Sequence, residues 1–141
     1  MTLRNRLLVA ALGMVVMPSL AFAHGDVAPQ PIDISGLTLL DGQDVYENPY
    51  RDTDEYETAI KVGDKAYNQN CARCHGLGAI SGGIAPDLRY LIPGEDDEYF
   101  VEKVKLGAIR NGVTYMPAFG EIFSDEAIWA IRSWLDTVAE E

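Results

Sequence analysis

The chain reads as an all-α domain of about three main helices behind an irregular N-terminal extension. Three observations predict it. Apolar residues recur at helical spacing in three separate stretches, 58–75, 96–107 and 124–139. Residues 24–57 lack that period and are punctuated by Pro29, Pro31, Gly36, Gly42 and Pro49. No βαβ pattern is present, so a doubly wound sheet is not expected.

Residues 1–23 read as a cleaved export signal. Arg4 and Arg6 form a basic start, Leu7 to Val16 is apolar apart from Gly13, and Ala21-Phe22-Ala23 is a small-residue cleavage site. The alternative is a retained anchor. However, the apolar run contains Pro18 and falls short of the roughly 20 residues that span a bilayer. No cysteine follows the run, which leaves out a lipid anchor there. Cleavage would expose His24 and leave 118 of the 141 residues, enough for one domain. The expected compartment is the periplasm, with the protein soluble, monomeric and not stably inserted in the membrane.

Residues 24–57 read as an irregular acidic extension, with Ile32, Ile34, Leu37, Leu39 and Leu40 able to pack as a short arm on the main domain. A disordered leader is the alternative. Residues 58–141 read as the main domain.

The stretch 58–75 reads as a helix, with Ile60, Gly63, Ala66, Tyr67 and Asn70 near one stripe. It ends in Cys71-Ala72-Arg73-Cys74-His75, the Cys-x-x-Cys-His pattern of covalent c-type haem attachment. On a helix, positions 71, 74 and 75 share a face. Cys71 and Cys74 would then supply two thioethers, and His75 would supply an axial ligand. A thioredoxin-like redox pair expects the missing βαβ unit. A zinc site needs more cysteines and histidines than this chain has. With both cysteines taken by one haem, no disulfide remains.

Gly76 to Gly83 reads as a loop leading to Pro86. The fixed φ of Pro86 would let its carbonyl accept from the His75 Nδ1–H, orienting the ring and raising its basicity. A plain turn proline is the alternative. Asp96 to Gly107 reads as a second helix with Phe100, Val101 and Val104 on its apolar side. The run Glu95-Asp96-Asp97-Glu98 reads as its solvated, dipole-matched start. Ser124 to about Ala139 reads as a third helix, capped by Ser124 and patterned by Ile128, Ile131, Leu135 and Val138, with Trp129 and Trp134 as packing residues.

After removal of the signal, Met116 is the single remaining methionine. Pro117 biases it to an extended backbone, which would present its thioether to iron from a loop bracketed by Gly112 and Gly120. Methionine–histidine ligation raises the reduction potential and closes the iron to outside ligands. The alternatives are that Met116 fills a gap in the core, or that His24 ligates.

Charge limits the partners. Nine basic residues against 22 acidic ones give the shortened chain a net charge of −13. Such a surface repels nucleic acid and anionic membranes, and it suits a basic patch on a protein partner.

In combination and order, the haem motif, Pro86, Tyr115-Met116-Pro117 and the last aromatic-containing helix resemble a class I cytochrome c over about residues 58–141. Tyr67 to Gly76, Gly83 to Tyr90, Ala130 to Leu135 and Glu47 to Arg51 are similar to the soluble c-550 cytochromes of quinoprotein alcohol dehydrogenase systems. The resemblance implies a non-enzymatic one-electron carrier with one covalently bound haem c. Its donor would be a periplasmic PQQ-dependent alcohol dehydrogenase, and its acceptor a terminal oxidase or another cytochrome. It also implies haem-pocket contacts at Pro86 and Leu88. Three rivals remain: a shuttle from a quinol-oxidising complex, a fixed haem subunit, and an open-iron haem enzyme or gas sensor.

Overall fold

The structure, a computed structural model, describes residues 29–140. The signal sequence and His24 lie outside them. Helix α1 spans Tyr56–Asn70, α2 Ala72–His75, α3 Asp97–Leu106 and α4 Asp125–Val138. Single 3-10 turns occupy Leu77–Ala79 and Leu88–Tyr90. A two-stranded antiparallel hairpin joins α3 to α4, with β1 at Ala108–Arg110 and β2 at Val113–Met116.

The core lies where α1 crosses α4. Ala59, Gly63, Ala66 and Tyr67 face the crossing from α1. Ala127, Ile128, Ala130, Ile131, Trp134 and Leu135 are buried on α4. Gly63 lets the backbones touch, since a Cβ there would sit 1.9 Å from the Ala130 carbonyl oxygen. One turn further on, the Tyr67 and Trp134 rings pack with centroids 4.3 Å apart. Helix α3 adds Phe100, Val101 and Val104. The side chain of Ser124 accepts from the Ala127 amide at 3.3 Å and caps α4 as its sequence position implies.

Two elements differ from the sequence expectation. The helix expected over 58–75 is divided at Cys71. The Cys71 amide still donates to Tyr67 O at 2.8 Å, but the next turn restarts from Cys71 O, which accepts from Cys74 N at 3.1 Å and His75 N at 3.0 Å. The hairpin was expected only as a loop. Asn111 and Gly112 both have positive φ, +51° and +76°, the signature of a tight two-residue hairpin turn.

Residues 29–55 have no regular secondary structure, yet they belong to the core. Leu37, Leu40 and Tyr50 are buried, Ile32 and Ile34 pack against the core, and Leu39 points to solvent. Backbone groups of the segment are tied down near its start and in its middle. Leu40 N donates to Glu126 Oε1 at 2.7 Å, and Gln30 N donates to Asn70 Oδ1 at 2.7 Å.

A buried ionic network fixes this segment to α3 and α4. Asp97 is fully buried, contrary to the solvated helix start expected from its acidic neighbours. It accepts from Arg51 Nη1 at 2.9 Å, Arg132 Nε at 2.7 Å and the Asn48 amide at 3.0 Å. Arg132 is also fully buried and donates through Nη2 to Ile92 O at 3.0 Å. Its Nη1 lies 3.1 Å from Asp136 Oδ1, in charge contact but off the hydrogen-bond angle. Asn48 Nδ2 donates to Ser133 Oγ at 2.9 Å. Burial alone would raise the Asp97 carboxyl. The bonds from Arg51, Asn48 and Arg132 outweigh it and hold the group below its ordinary value of 3.8.

Candidate haem site

One helical turn carries the motif. Because Cys74 N and His75 N share Cys71 O as acceptor, Cys71, Cys74 and His75 are held on the same short turn. The two cysteines are free thiols, Cys71 half-buried and Cys74 exposed. Burial, with a smaller contribution from Cys74, pushes the Cys71 thiol up to about 12.

Tyr67 connects this turn to the core. Its buried ring packs on Trp134 while its hydroxyl donates to Gly76 O at 2.7 Å, immediately after His75. Sequence spacing marks the ring as a packing group, with a role for the hydroxyl as the lesser reading; the bond to Gly76 O gives it both.

The imidazole is oriented by the loop that follows. His75 Nδ1 lies 2.8 Å from Pro86 O, so a protonated Nδ1 donates there and leaves Nε2 free for a ligand. The loop is itself pinned. Ser81 Oγ donates to Ala85 O at 2.5 Å, and Ser81 N donates to Asp87 Oδ2 at 3.1 Å. Arg89 grips Asp87 through Nε at 3.0 Å and Nη2 at 2.9 Å, and its Nη1 reaches Glu140. The Arg89 hydrogen bond lowers the Asp87 carboxyl from 3.8 to about 2. A folded value below the unfolded one means that the tie is complete above pH about 4 and is lost as pH falls through about 2. The expected outcome is an Asp87 carboxyl midpoint near pH 2 by carbon-detected NMR. A midpoint at its ordinary value would mean that the Asp87–Arg89 pair does not form in solution.

Met116 comes from the end of β2. The register pairs Ala108 with Met116 but Ile109 with Thr114, leaving Tyr115 as an extra, bulged residue. Bulges of this kind re-aim side chains beside functional sites. Gly107 makes the approach possible. Its φ is +72°, and a Cβ on it would lie 2.5 Å from Met116 O and 2.8 Å from Ala118 N. Met116 is half-buried against the core, as is Leu88.

The exposed large hydrophobic side chains fall mostly in one stretch of the sequence, the stretch that follows the Cys71–His75 turn and contains Met116. Of the large hydrophobic side chains left in solvent among the described residues, only Leu39 and Tyr46 lie outside positions 77–122. A porphyrin covering part of that surface would explain why it is apolar. With His75 Nδ1 held by Pro86 O, two free cysteines on the same short turn and a half-buried thioether at Met116, the donor chemistry fits a c-type haem.

A family model described as cytochrome c oxidase, cbb3-type, subunit III matches residues 58–135. Cytochrome c550 of Pseudomonas aeruginosa is 51% identical over 138 residues, covering 96% of this chain and 93% of that protein. The chain belongs to the cytochrome c family. This cytochrome is an electron-transfer protein, and its family carries haem c. It is also similar to part of the quinohemoprotein alcohol dehydrogenase ADH-IIG of Pseudomonas putida, at 38% identity over 77 residues. That match covers 55% of the cytochrome and 10% of the dehydrogenase. The solved structure of ADH-IIG superposes with a TM-score of 0.51 over 69% of this chain and 13% of that one, at 32% identity. Cytochrome CL of Methylophaga aminisulfidivorans MPT shares the fold, with a TM-score of 0.52 at 24% identity over 77% of this chain and 74% of that one. Among the described residues no helix is long and apolar enough to cross a membrane.

Proposed function

We propose that this cytochrome is a periplasmic one-electron carrier between a PQQ-dependent alcohol dehydrogenase and a terminal oxidase or another cytochrome. The observation that carries the donor is the recurrence of this unit, in sequence and in fold, inside a quinohemoprotein alcohol dehydrogenase. The same unit is nearly the whole of the P. aeruginosa cytochrome c550, as expected for a carrier that meets its donor as a separate protein. The family model's oxidase description supports delivery towards an oxidase. Periplasmic location rests on residues 1–23, which read as an export signal.

A single haem c would supply the one-electron chemistry. The residues of this chain hold and tune it. Cys71 and Cys74 would hold it through thioethers, and His75 Nε2 and Met116 would supply the ligands to its iron. Pro86 O fixes the His75 ring from behind, with Leu88 beside it as a pocket contact. A half-buried thioether ligand would favour the reduced state and exclude small ligands, which suits a carrier and disfavours a gas sensor.

The test is anaerobic stopped-flow reduction of the oxidised protein by a quinoprotein alcohol dehydrogenase from the same source, with its alcohol. Rapid, saturable, alcohol-dependent reduction is expected. A haem reduced by dithionite but not by the dehydrogenase would overturn the pairing and favour a quinol-oxidising complex as donor. For the ligand assignment, reduced wild type is expected not to bind carbon monoxide. Met116→Ala should bind it saturably with a lowered reduction potential, while retaining the helical far-UV spectrum. Carbon monoxide binding by wild type would remove Met116 from the coordination sphere.

A further inference from the structure

The charge of this chain is unevenly placed. Residues 71–94 contain one acidic residue, Asp87, and residues 105–122 contain one, Glu121, out of 22 in the chain. The same two stretches contain Arg73, Arg89, Lys105 and Arg110. They also carry the haem motif and Met116, so the other 20 acidic residues lie in the remaining stretches of the sequence.

Arg110 stands out among these cations. Arg89 is held by Asp87 and Glu140, and Lys105 lies 2.7 Å from Asp125. Arg110 has no carboxylate partner among the described residues, and its guanidinium rests 5.9 Å from the centre of the Tyr115 ring. It flanks the Asn111-Gly112 turn of the hairpin that ends in Met116. Around it Ile109, Val113 and Tyr115 are 69%, 57% and 69% exposed. An arginine stacked on a tyrosine within an apolar patch has the composition of an interface hot spot, and the stacking limits the side-chain freedom lost on binding.

We propose that the Ile109–Tyr115 hairpin docks the electron donor, with Arg110 meeting a carboxylate set in an apolar surface of that donor. This rests on the carrier reading above, in which Met116 ligates the haem and the hairpin therefore borders it. Charge complementarity selects the occupant. A basic rim, which the net charge alone suggests, would find few carboxylates here and would meet Arg110 with like charge. The contact acts at short range, because the acidic remainder of the molecule gives no long-range attraction to an acidic partner.

The test measures the second-order rate constant for reduction of the haem-loaded protein by the quinoprotein alcohol dehydrogenase and its alcohol, at low and high salt. Arg110→Glu should lower it about tenfold at low salt and less at high salt, and Val113→Ser should lower it at both. Reduction potential and visible spectrum should stay at wild-type values in each variant. Asp54→Arg, on an exposed turn before α1, should change the rate less than about twofold. If Arg110→Glu and Val113→Ser are reduced at the wild-type rate, the docking site is overturned while the carrier reading stands. A faster Arg110→Glu would also overturn it, by pointing to a basic partner surface. If wild type itself is not reduced, the carrier reading fails and the docking site with it.

Discussion

Asp97→Ala is expected to destabilise the protein by about 3–5 kcal/mol, the range for removing one partner from a buried ion pair. Asp97 is the common acceptor for Arg51, Arg132 and the Asn48 amide, and Arg132 has no exposed surface through which water could replace it. The substitution therefore leaves a buried guanidinium short of its closest carboxylate. For a domain of this size the thermal midpoint should fall on the order of 15 °C. Urea unfolding of the haem-loaded protein, followed by far-UV circular dichroism, measures it. Adding Arg132→Met should restore part of the loss, because the uncompensated charge goes with it. A double variant as unstable as the sum of the two singles would show that the pair is not coupled. The pH dependence has a fixed sign. Asp97 has a depressed folded value, so its contribution is complete above the ordinary carboxylate value of 3.8 and is lost as pH falls below it.

Gly63→Ala should be comparably severe for a different reason. A methyl group there would lie 1.9 Å from Ala130 O and 2.9 Å from the Trp134 Cβ. The nearest atom is backbone, so no rotamer change relieves the clash and the α1–α4 crossing must open. Overpacking costs typically 1–3 kcal/mol, and a backbone obstacle places this site near about 3. The cost outweighs the roughly 1 kcal/mol by which alanine improves helix propensity over glycine. Opening the crossing also separates Tyr67 from Trp134, so the near-UV aromatic signal should weaken. A variant of wild-type stability would mean that the helices cross more loosely than this.

The helices and the Cys71–His75 turn were legible because each depends on local pattern. Ile128, Ile131 and Leu135 repeat at helical spacing, Ser124 is a cap by chemistry, and Cys71 to His75 is a contiguous motif. The link from His75 to Pro86 was legible for a related reason, since a proline fixes its own backbone and can hold a carbonyl in place. The hairpin was missed although Asn111-Gly112 is a strong turn signal. Its strands are three and four residues long, too short for alternation to register. Asp97 was misread because its neighbours Glu95 and Glu98 are solvent-exposed acids. What buries it is Arg51 and Arg132, residues 46 and 35 positions away. Net charge, a whole-chain sum, could not reveal that residues 105–122 hold a single carboxylate.

The α1–α4 crossing also constrains the order in which the molecule can form. Tyr67 and Trp134 are the two sides of its tightest aromatic contact, and nearly half the chain lies between them. Closing a loop of that length costs about 3–4 kcal/mol of chain entropy before the contact gains anything. Helix α4 follows the haem motif and Met116 in the chain, so as the polypeptide emerges Gly63 has no partner until Ala130 arrives. During that interval Cys71 has not yet acquired the surroundings that bury it in the folded protein. A cofactor joined to Cys71 and Cys74 and then bound by Met116 would divide the long loop into shorter ones. Late pairing of the two helices would thus leave the cysteines accessible to a cofactor, and the attached cofactor would make closure of the core easier.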